Sequence, residues 1–213
     1  VRSDWERALR QRNSFLKQVK GRLDESAALT LEVWDTKAAE AGERLTERRA
    51  DLVTRLGPFV TEAYADLAGS PTPVEVRLVS PWRAEGLAPA FRAGRDDDLR
   101  RGITLIGPHR DDVVVTLDGL PSRTHASQGE QRCLALALRL AGHRLVTEVR
   151  GDPPMLILDD VFSELDHSRA AALLEALPPG QTFITAATGA PPGVEPARTI
   201  RVERGGGVAA DPI

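Results

Sequence analysis

Residues 127–130 read Ser-Gln-Gly-Glu and stand directly before a run of alanines and leucines, while residues 156–160 read Leu-Ile-Leu-Asp-Asp. Both stretches carry groups that bind phosphate or the metal that accompanies it. Ser127 and Glu130 have the Ser-x-x-Glu spacing of a capping box, in which each side chain satisfies a free backbone N–H at a helix start. Capping gives no reason for Gly129, because glycine inside a first turn costs about 1 kcal/mol against alanine. A bound anion would give one: a helix start carries free N–H groups and a partial positive charge, and glycine lets a phosphate approach the backbone. The two readings are compatible, since a serine hydroxyl accepts one hydrogen bond and donates another. The second stretch is an apolar run ending in a carboxylate, a place to hold Mg²⁺ through one or two carboxylates, waters and phosphate oxygens. Asp159 is the acid for that role. Asp160 could polarise a water for attack on a phosphate; its plainer reading is an exposed acid at a strand end.

Gly107-Pro-His-Arg-Asp-Asp112 is more ambiguous. His109, Asp111 and Asp112 could start a metal cluster, but no second group with ligand spacing stands nearby, and a tight turn stabilised by Arg110 and the acids explains the same residues. His125, His143 and His167 are scattered and receive no role. The single cysteine, Cys133, lies in the apolar helix after Gly129 and reads as core filler.

Elements must hold these groups. Residues 4–19 repeat apolar positions at Trp5, Ala8, Leu9, Phe15, Leu16 and Val19, which predicts a helix with Asp4 as N-cap. A second helix is expected over about 25–67, with Leu45, Leu52 and Phe59 spaced by seven and a break possible at Gly42 or at Gly57-Pro58. Together they read as a helical arm with a solvated charged face, or one used for a partner. Gly69 to Pro73 punctuates the chain, and alternation then predicts a strand over 74–80. Residues 81–94 read as irregular, 95–102 as a short helix or loop, and 103–106 and 113–117 as strands. The helix after Gly129 reaches about Glu148 with Leu134, Leu138, Ala141 and Leu145 on one stripe and Leu136 and Leu140 on another, so it is expected to be buried. Residues 155–158 read as a central parallel strand buried on both faces, 166–177 as a helix capped by Asp166, and 182–185 and 198–203 as two further strands. The glycine-rich tail reads as loose. The expected domains are therefore a helical arm over 1–69 and an α/β part over 70–213.

A chain of 213 residues with 41% hydrophobic content can bury one large core or two small ones, and its net charge of −3 means that any nucleic-acid contact rests on a local basic patch. Arg7, Arg10, Arg12, Lys17 and Lys20 on the first helix are candidates for such a patch, as well as for a solvated helix face. One cysteine excludes an internal disulfide and fits a reducing, cytoplasmic setting. No stretch reaches the ~20 apolar residues of a membrane span. Val1 in place of Met, with helical pattern almost at once, is what a piece of a longer protein shows.

The order Gly107-Pro-His-Arg-Asp-Asp112, Ala126-Ser-Gln-Gly-Glu-Gln-Arg132, Leu156-Ile-Leu-Asp-Asp-Val-Phe-Ser-Glu-Leu-Asp166 and Thr182-Phe-Ile-Thr185 resembles the RecF family of bacterial recombination-repair proteins, ATPases of the ABC/SMC type. Residues 6–17 and 31–56 resemble the helical second lobe of that family, and 98–112 the segment that returns to its ATPase head. The resemblance covers nearly the whole chain. It implies an α/β fold: the C-terminal half of an ABC-type ATPase head, with a parallel-sheet core and an inserted helical lobe. It implies that Ser127, Gln128, Gly129 and Glu130 form the signature motif facing the γ-phosphate of ATP on another subunit. Asp159 is then the Walker B aspartate for Mg²⁺, Asp160 the catalytic carboxylate, and Ser163 to Asp166 the D-loop at the dimer interface. Thr185 stands where many ABC ATPases have a histidine. The Gly-x-x-x-x-Gly-Lys-Ser/Thr phosphate loop is missing from the chain, so ATP and Mg²⁺ both need a half of the site that this chain lacks. The activity implied for the complete protein is a weak DNA-dependent ATPase. Its implied function is ATP-driven homodimerisation on double-stranded DNA and single-strand/duplex junctions, in recombinational gap repair, replication restart and the SOS response, helping load recombinase with a RecR-type mediator. A non-catalytic DNA- or protein-binding module and another SMC-like ATPase are the alternatives; the short helical region weighs against the latter.

Overall fold

The structure, a computed structural model, describes residues 1–19, 21–187, 192–202 and 208–210. Helices α1 (Arg2–Val19) and α2 (Glu25–Ala68) open the chain, followed by β1 (Val74–Val79), α3 (Leu87–Ala93), α4 (Arg95–Arg101), β2 (Asp112–Leu117), β3 (Leu120–Pro121), α5 (Ser122–His125) and α6 (Gln128–Arg150). Then come β4 (Leu156–Asp159), a 3-10 turn (Val161–Glu164), α7 (His167–Glu175), β5 (Thr182–Thr185), β6 (Ile200–Val202) and β7 (Val208–Ala210). Two compact units result: 1–58 with 73–126, and 59–72 with the residues from Ser127 onward. The compositional break at residue 69 falls inside the short segment that belongs to the second unit. Among the described residues no helix is long and apolar enough to cross a membrane. Lys20 and the glycine-rich stretch 205–207 lie outside the described residues.

In the first unit Trp5, Ala38, Ala41, Leu87 and Phe91 form the heart of one apolar cluster. α2 does not break at Gly42 or at Gly57-Pro58. Gly42 is there for packing: a Cβ on it would come 2.4 Å from Leu87 Cδ2 and 3.0 Å from the Trp5 ring. Gly42→Ala should therefore destabilise by about 1–3 kcal/mol through overpacking, despite the roughly 1 kcal/mol of helix propensity that alanine adds. Thermal unfolding of the chain measures the sign.

Residues 103–106 are not a strand, contrary to expectation, and side chains satisfy their backbone instead. Asn13 Oδ1 accepts from the Thr104 N–H at 2.7 Å, and Asp98 Oδ1 accepts from the Leu105 N–H at 2.9 Å. Residues 87–93, expected to be irregular, form α3. β1, β2 and β3 make an antiparallel sheet in which Val74 faces Leu117 and Val79 faces Asp112. Asp118 and Gly119, both at positive φ, close the β2–β3 hairpin in the way an Asp-Gly pair favours.

Arg12 corrects one expectation. It is wholly buried and so cannot belong to a basic surface, because two acids and a hydroxyl hold it inside. Its Nε donates to Asp35 Oδ1 and its Nη1 to Asp98 Oδ2 and Thr104 Oγ1, each at 2.7 Å, and its guanidinium carbon sits 4.3 Å above the Phe91 ring. Arg7, Arg10 and Lys17 remain exposed.

The 107–112 stretch is a turn. Arg110 N–H donates to Gly107 O at 2.8 Å, and the His109 ring stacks on Trp5. Asp111 accepts from Ser80 Oγ at 2.6 Å, Trp82 Nε1 at 2.9 Å and Thr46 Oγ1 at 3.0 Å. Those bonds tie β1, α2 and the loop before α3 to the start of β2, a structural use of the acid. Among the described residues no cluster of three potential metal ligands occurs.

In the second unit α6 buries Cys133, Leu134, Ala137, Leu140, Ala141, His143 and Leu145. Val60, Tyr64 and Leu67 of α2 are buried as well. β4 and β5 pair in parallel, Leu158 opposite Ile184 and Asp159 opposite Thr185. β4 is not buried on both faces as expected. Leu158 is covered, but Ile157 is 64% exposed and its register partner Phe183 42%. Alternate side chains of a strand point to opposite faces, so one side of this sheet is bare. His143, given no role from sequence, is buried and its Nε2 lies 2.7 Å from Pro154 O, which fixes the approach to β4.

Candidate functional site

The start of α6 forms the capping box that its spacing predicts. The Ser127 N–H donates to Glu130 Oε2 at 2.7 Å, and the Glu130 N–H donates to Ser127 Oγ at 3.3 Å. Those bonds with Ser127 hold the Glu130 carboxyl below the usual carboxylate range, so it is ionised at neutral pH. The box uses the N–H groups of residues 127 and 130. The N–H groups of Gln128 and Gly129 have no acceptor among the described residues. Ser127 and Gln128 are exposed. A first helical turn with open amides and a positive dipole end is the geometry that receives an oxyanion.

Gly129 has a contact within the chain that sequence reasoning missed. A Cβ there would lie 2.7 Å from Arg169 Nη1 and 3.0 Å from Nη2. The Arg169 guanidinium therefore lies where a Cβ on residue 129 would point, a neighbour within the chain that stands beside the phosphate reading of this glycine. The signal was legible only in part: an arginine three residues after an N-cap Asp is visible, but its direction is a tertiary fact.

The carboxylate pair sits at the C-terminal end of β4. The Thr185 hydroxyl donates to Asp159 Oδ1 at 2.5 Å, and the Asp160 N–H points at Thr185 O at 3.2 Å and Thr185 Oγ1 at 3.0 Å. The neighbouring strand therefore fixes both acids through one threonine. Asp160 itself turns into the left-handed region, φ 50 and ψ 24, where the chain leaves the strand for the 3-10 turn. Both carboxylates are exposed. Their donor set suits a hard cation held by one carboxylate with water and phosphate oxygens, not a cage of protein ligands.

After the 3-10 turn, Asp166 caps α7 as expected, its Oδ1 accepting from the Arg169 N–H at 2.9 Å and from Ser168 Oγ at 2.7 Å. These bonds, the Arg169 N–H first, pull the Asp166 carboxyl below its ordinary pKa. Arg132 of α6 reaches the other end of the turn, with Nη1 donating to Glu164 O at 3.0 Å. Ser127–Glu130 and Asp159–Asp166 are therefore brought together in one unit, joined through Arg132 and Arg169.

No family model matches the chain. The DNA replication and repair protein RecF of Streptomyces avermitilis is 41% identical over 203 residues, which cover 88% of this chain and 54% of that protein. The protein of the same name from Acidothermus cellulolyticus is 41% identical over 185 residues, 81% of this chain and 50% of its own length. The chain thus spans about half the length of the curated relatives it matches. Among solved structures, the recombination mediator RecF-ATP of the RecFOR pathway superposes with a TM-score of 0.82 at 27% identity, over 98% of this chain and 57% of that one. The RecF-ATPγS structure of the same pathway gives 0.76 at 26% identity, over 94% and 55%. The α/β chain described here belongs to the RecF family of DNA replication and repair proteins, as a C-terminal portion of it.

Proposed function

We propose that the complete protein carrying this chain is an ATP-dependent DNA-binding protein of recombinational gap repair, closing as a dimer on DNA and helping a RecR-type mediator load recombinase. The observation that carries this reading is the exposed start of α6, with its open Gln128 and Gly129 amides, in contact with the Glu164–Arg169 segment that follows the Asp159–Asp160 strand end. The relatives' description as DNA replication and repair proteins, and the neighbouring structures' description as RecF-ATP and RecF-ATPγS, support it. Residues 1–69 would be the helical lobe and 70–213 part of the ATPase head. The bare face of the β4–β5 sheet, with Ile157 and Phe183, fits packing against the part of the family fold that this chain does not span.

ATP with Mg²⁺ would supply a phosphoanhydride to be cleaved by water and a charged surface that joins two subunits. The residues here would do the rest. The amides of Gln128 and Gly129, with the Ser127 hydroxyl, would donate to the γ-phosphate held on the other subunit. Asp159 would hold the cation through water, its orientation set by Thr185. Asp160 would orient and polarise the attacking water. Asp166, already engaged as a cap, would carry the turn across the interface. Lacking the Gly-x-x-x-x-Gly-Lys-Ser/Thr loop, this chain contributes only part of such a site. Arg7, Arg10 and Lys17 are the exposed basic candidates for DNA on α1.

Ser127→Arg in the complete protein tests the reading. ATP affinity of the monomer should hold, while ATP-dependent dimerisation weakens by about 100-fold, the scale of losing charge-assisted hydrogen bonds to an anion. Ser127→Asp controls for folding: it keeps a good N-cap but places a carboxylate against the phosphate, and should show the same loss. Dimerisation unaltered in both variants, measured by sedimentation, would refute the role of this helix start.

A further inference from the structure

Arg169 reaches the start of α6 from another element without being part of any motif read from the sequence. Its N–H is spent on Asp166 Oδ1, and its guanidinium folds back, Nη1 donating to Asp166 Oδ2 at 3.1 Å. From there it lies against Gly129, in the space that a Cβ would enter. Cys133 stands one turn further along α6 and is buried. Burial pushes that thiol's pKa up, and Arg169 pulls against it. A planar guanidinium that bonds a carboxylate and lies flat against a helix turn keeps a geometry that a flexible ammonium would not. Arg132 makes the opposite tie, from α6 out to Glu164, with Nε 3.4 Å from Glu164 Oε2.

We infer that Arg169 is a positioning residue: bonded to Asp166 and packed against Gly129, it braces the start of α6 against the Asp166 turn. The inference rests on the functional reading above and deepens it. In that reading the Asp159–Asp166 segment serves one nucleotide and the α6 start serves the nucleotide of the other subunit. A rigid tie between them makes the two move as one body. Gly129 then leaves the space that the guanidinium occupies, and the two residues act together. The competing account is that Gly129 is needed only for phosphate to approach, with Arg169 an independent surface cation.

A double-mutant cycle in the complete protein separates these accounts. The variants are Arg169→Ala, Arg169→Lys, Gly129→Ala and the Gly129→Ala/Arg169→Ala pair. Three quantities are read: ATP affinity of the monomer, the ATP-dependent dimer constant by sedimentation, and the amide hydrogen-exchange rate of the first turns of α6 without nucleotide, followed by mass spectrometry. Arg169→Ala should leave ATP affinity unchanged, weaken dimerisation about tenfold, and speed amide hydrogen exchange in the first turns of α6 about tenfold by freeing the helix start. Arg169→Lys should recover part of both losses. Gly129→Ala should displace the guanidinium and reproduce both effects, and the double variant should be no worse than Arg169→Ala. Multiplying losses in the double variant, or exchange at the start of α6 unchanged in Arg169→Ala, would overturn the inference. A wild-type protein that fails to dimerise with ATP would sink the functional reading instead, and the exchange measurements would still decide the Arg169–Gly129 contact.

Discussion

Asp160→Asn in the complete protein should lower ATP turnover by about 100-fold or more, the usual weight of a positioned general base, while ATP-bound dimers persist instead of dissociating. The structure makes this substitution clean. Asp160 sits at φ 50, and asparagine is among the few non-glycine residues that occupy the left-handed region readily. Its anchoring bonds run from its own backbone N–H to Thr185, and its carbonyl accepts from Ser163 Oγ at 2.8 Å. Neither depends on the carboxylate, so the variant keeps its fold and loses only the charge. Asp159 differs, since its Oδ1 accepts from the Thr185 hydroxyl. Sedimentation with ATP is the deciding measurement: an Asp160→Asn protein that remains monomeric rules out a dimer held by unhydrolysed nucleotide, and unchanged turnover removes Asp160 from the reaction.

How much of this was legible beforehand follows from which signals are local. The capping box at Ser127 and Glu130 and the Asp166 cap depend on residues three positions apart, and both formed as the spacing predicts. The strands 156–159 and 182–185 were legible as short apolar runs, and they pair in parallel. Residues 103–106 misled for the same reason. Ile-Thr-Leu-Ile has the composition of a strand, but Asn13 and Asp98 reach its amides first, from 91 and 7 residues away. Burial on both faces of β4 was inferred from its unbroken apolar sequence, and Ile157 and Phe183 show that composition does not report which faces are covered. Gly129 is the instructive case. Its cost in a helix is visible in the sequence; its neighbour Arg169 is 40 positions away, and no local pattern announces where that side chain goes. Arg12 failed as a surface cation likewise, because its partners Asp35 and Asp98 are 23 and 86 residues distant.

Arg12→Met should be the most damaging substitution for stability, at about 3–5 kcal/mol, the cost of removing one partner from a buried ion pair. Methionine fits the volume but leaves Asp35 and Asp98 facing each other's charge in a buried space. Arg95 Nη2 still donates to Asp35 Oδ2 at 3.0 Å, so Asp98 is the more exposed to the loss. Burial already pushes the Asp98 carboxyl above its ordinary pKa, against the pull of Arg12 and the Leu105 N–H. Without Arg12 the group moves further up. A carboxyl whose folded pKa exceeds its unfolded value favours the folded state below the unfolded pKa, and that favour is lost as pH rises through the folded value. The gap between wild type and variant should therefore be widest at neutral pH and narrow as pH falls towards about 4, the unfolded carboxylate range. Arg12→Lys should lose less, keeping the charge but not the fork that serves Asp35, Asp98 and Thr104 together. Intrinsic fluorescence reads this unit directly, because Trp5, Trp34 and Trp82, the chain's 3 tryptophans, all lie within it. Urea titration of the full chain at two pH values then gives both magnitude and sign. A DNA-contacting arginine would behave in the opposite way, weakening DNA binding with the unfolding midpoint unmoved, and that outcome would return Arg12 to the surface where its sequence neighbours Arg7 and Arg10 lie.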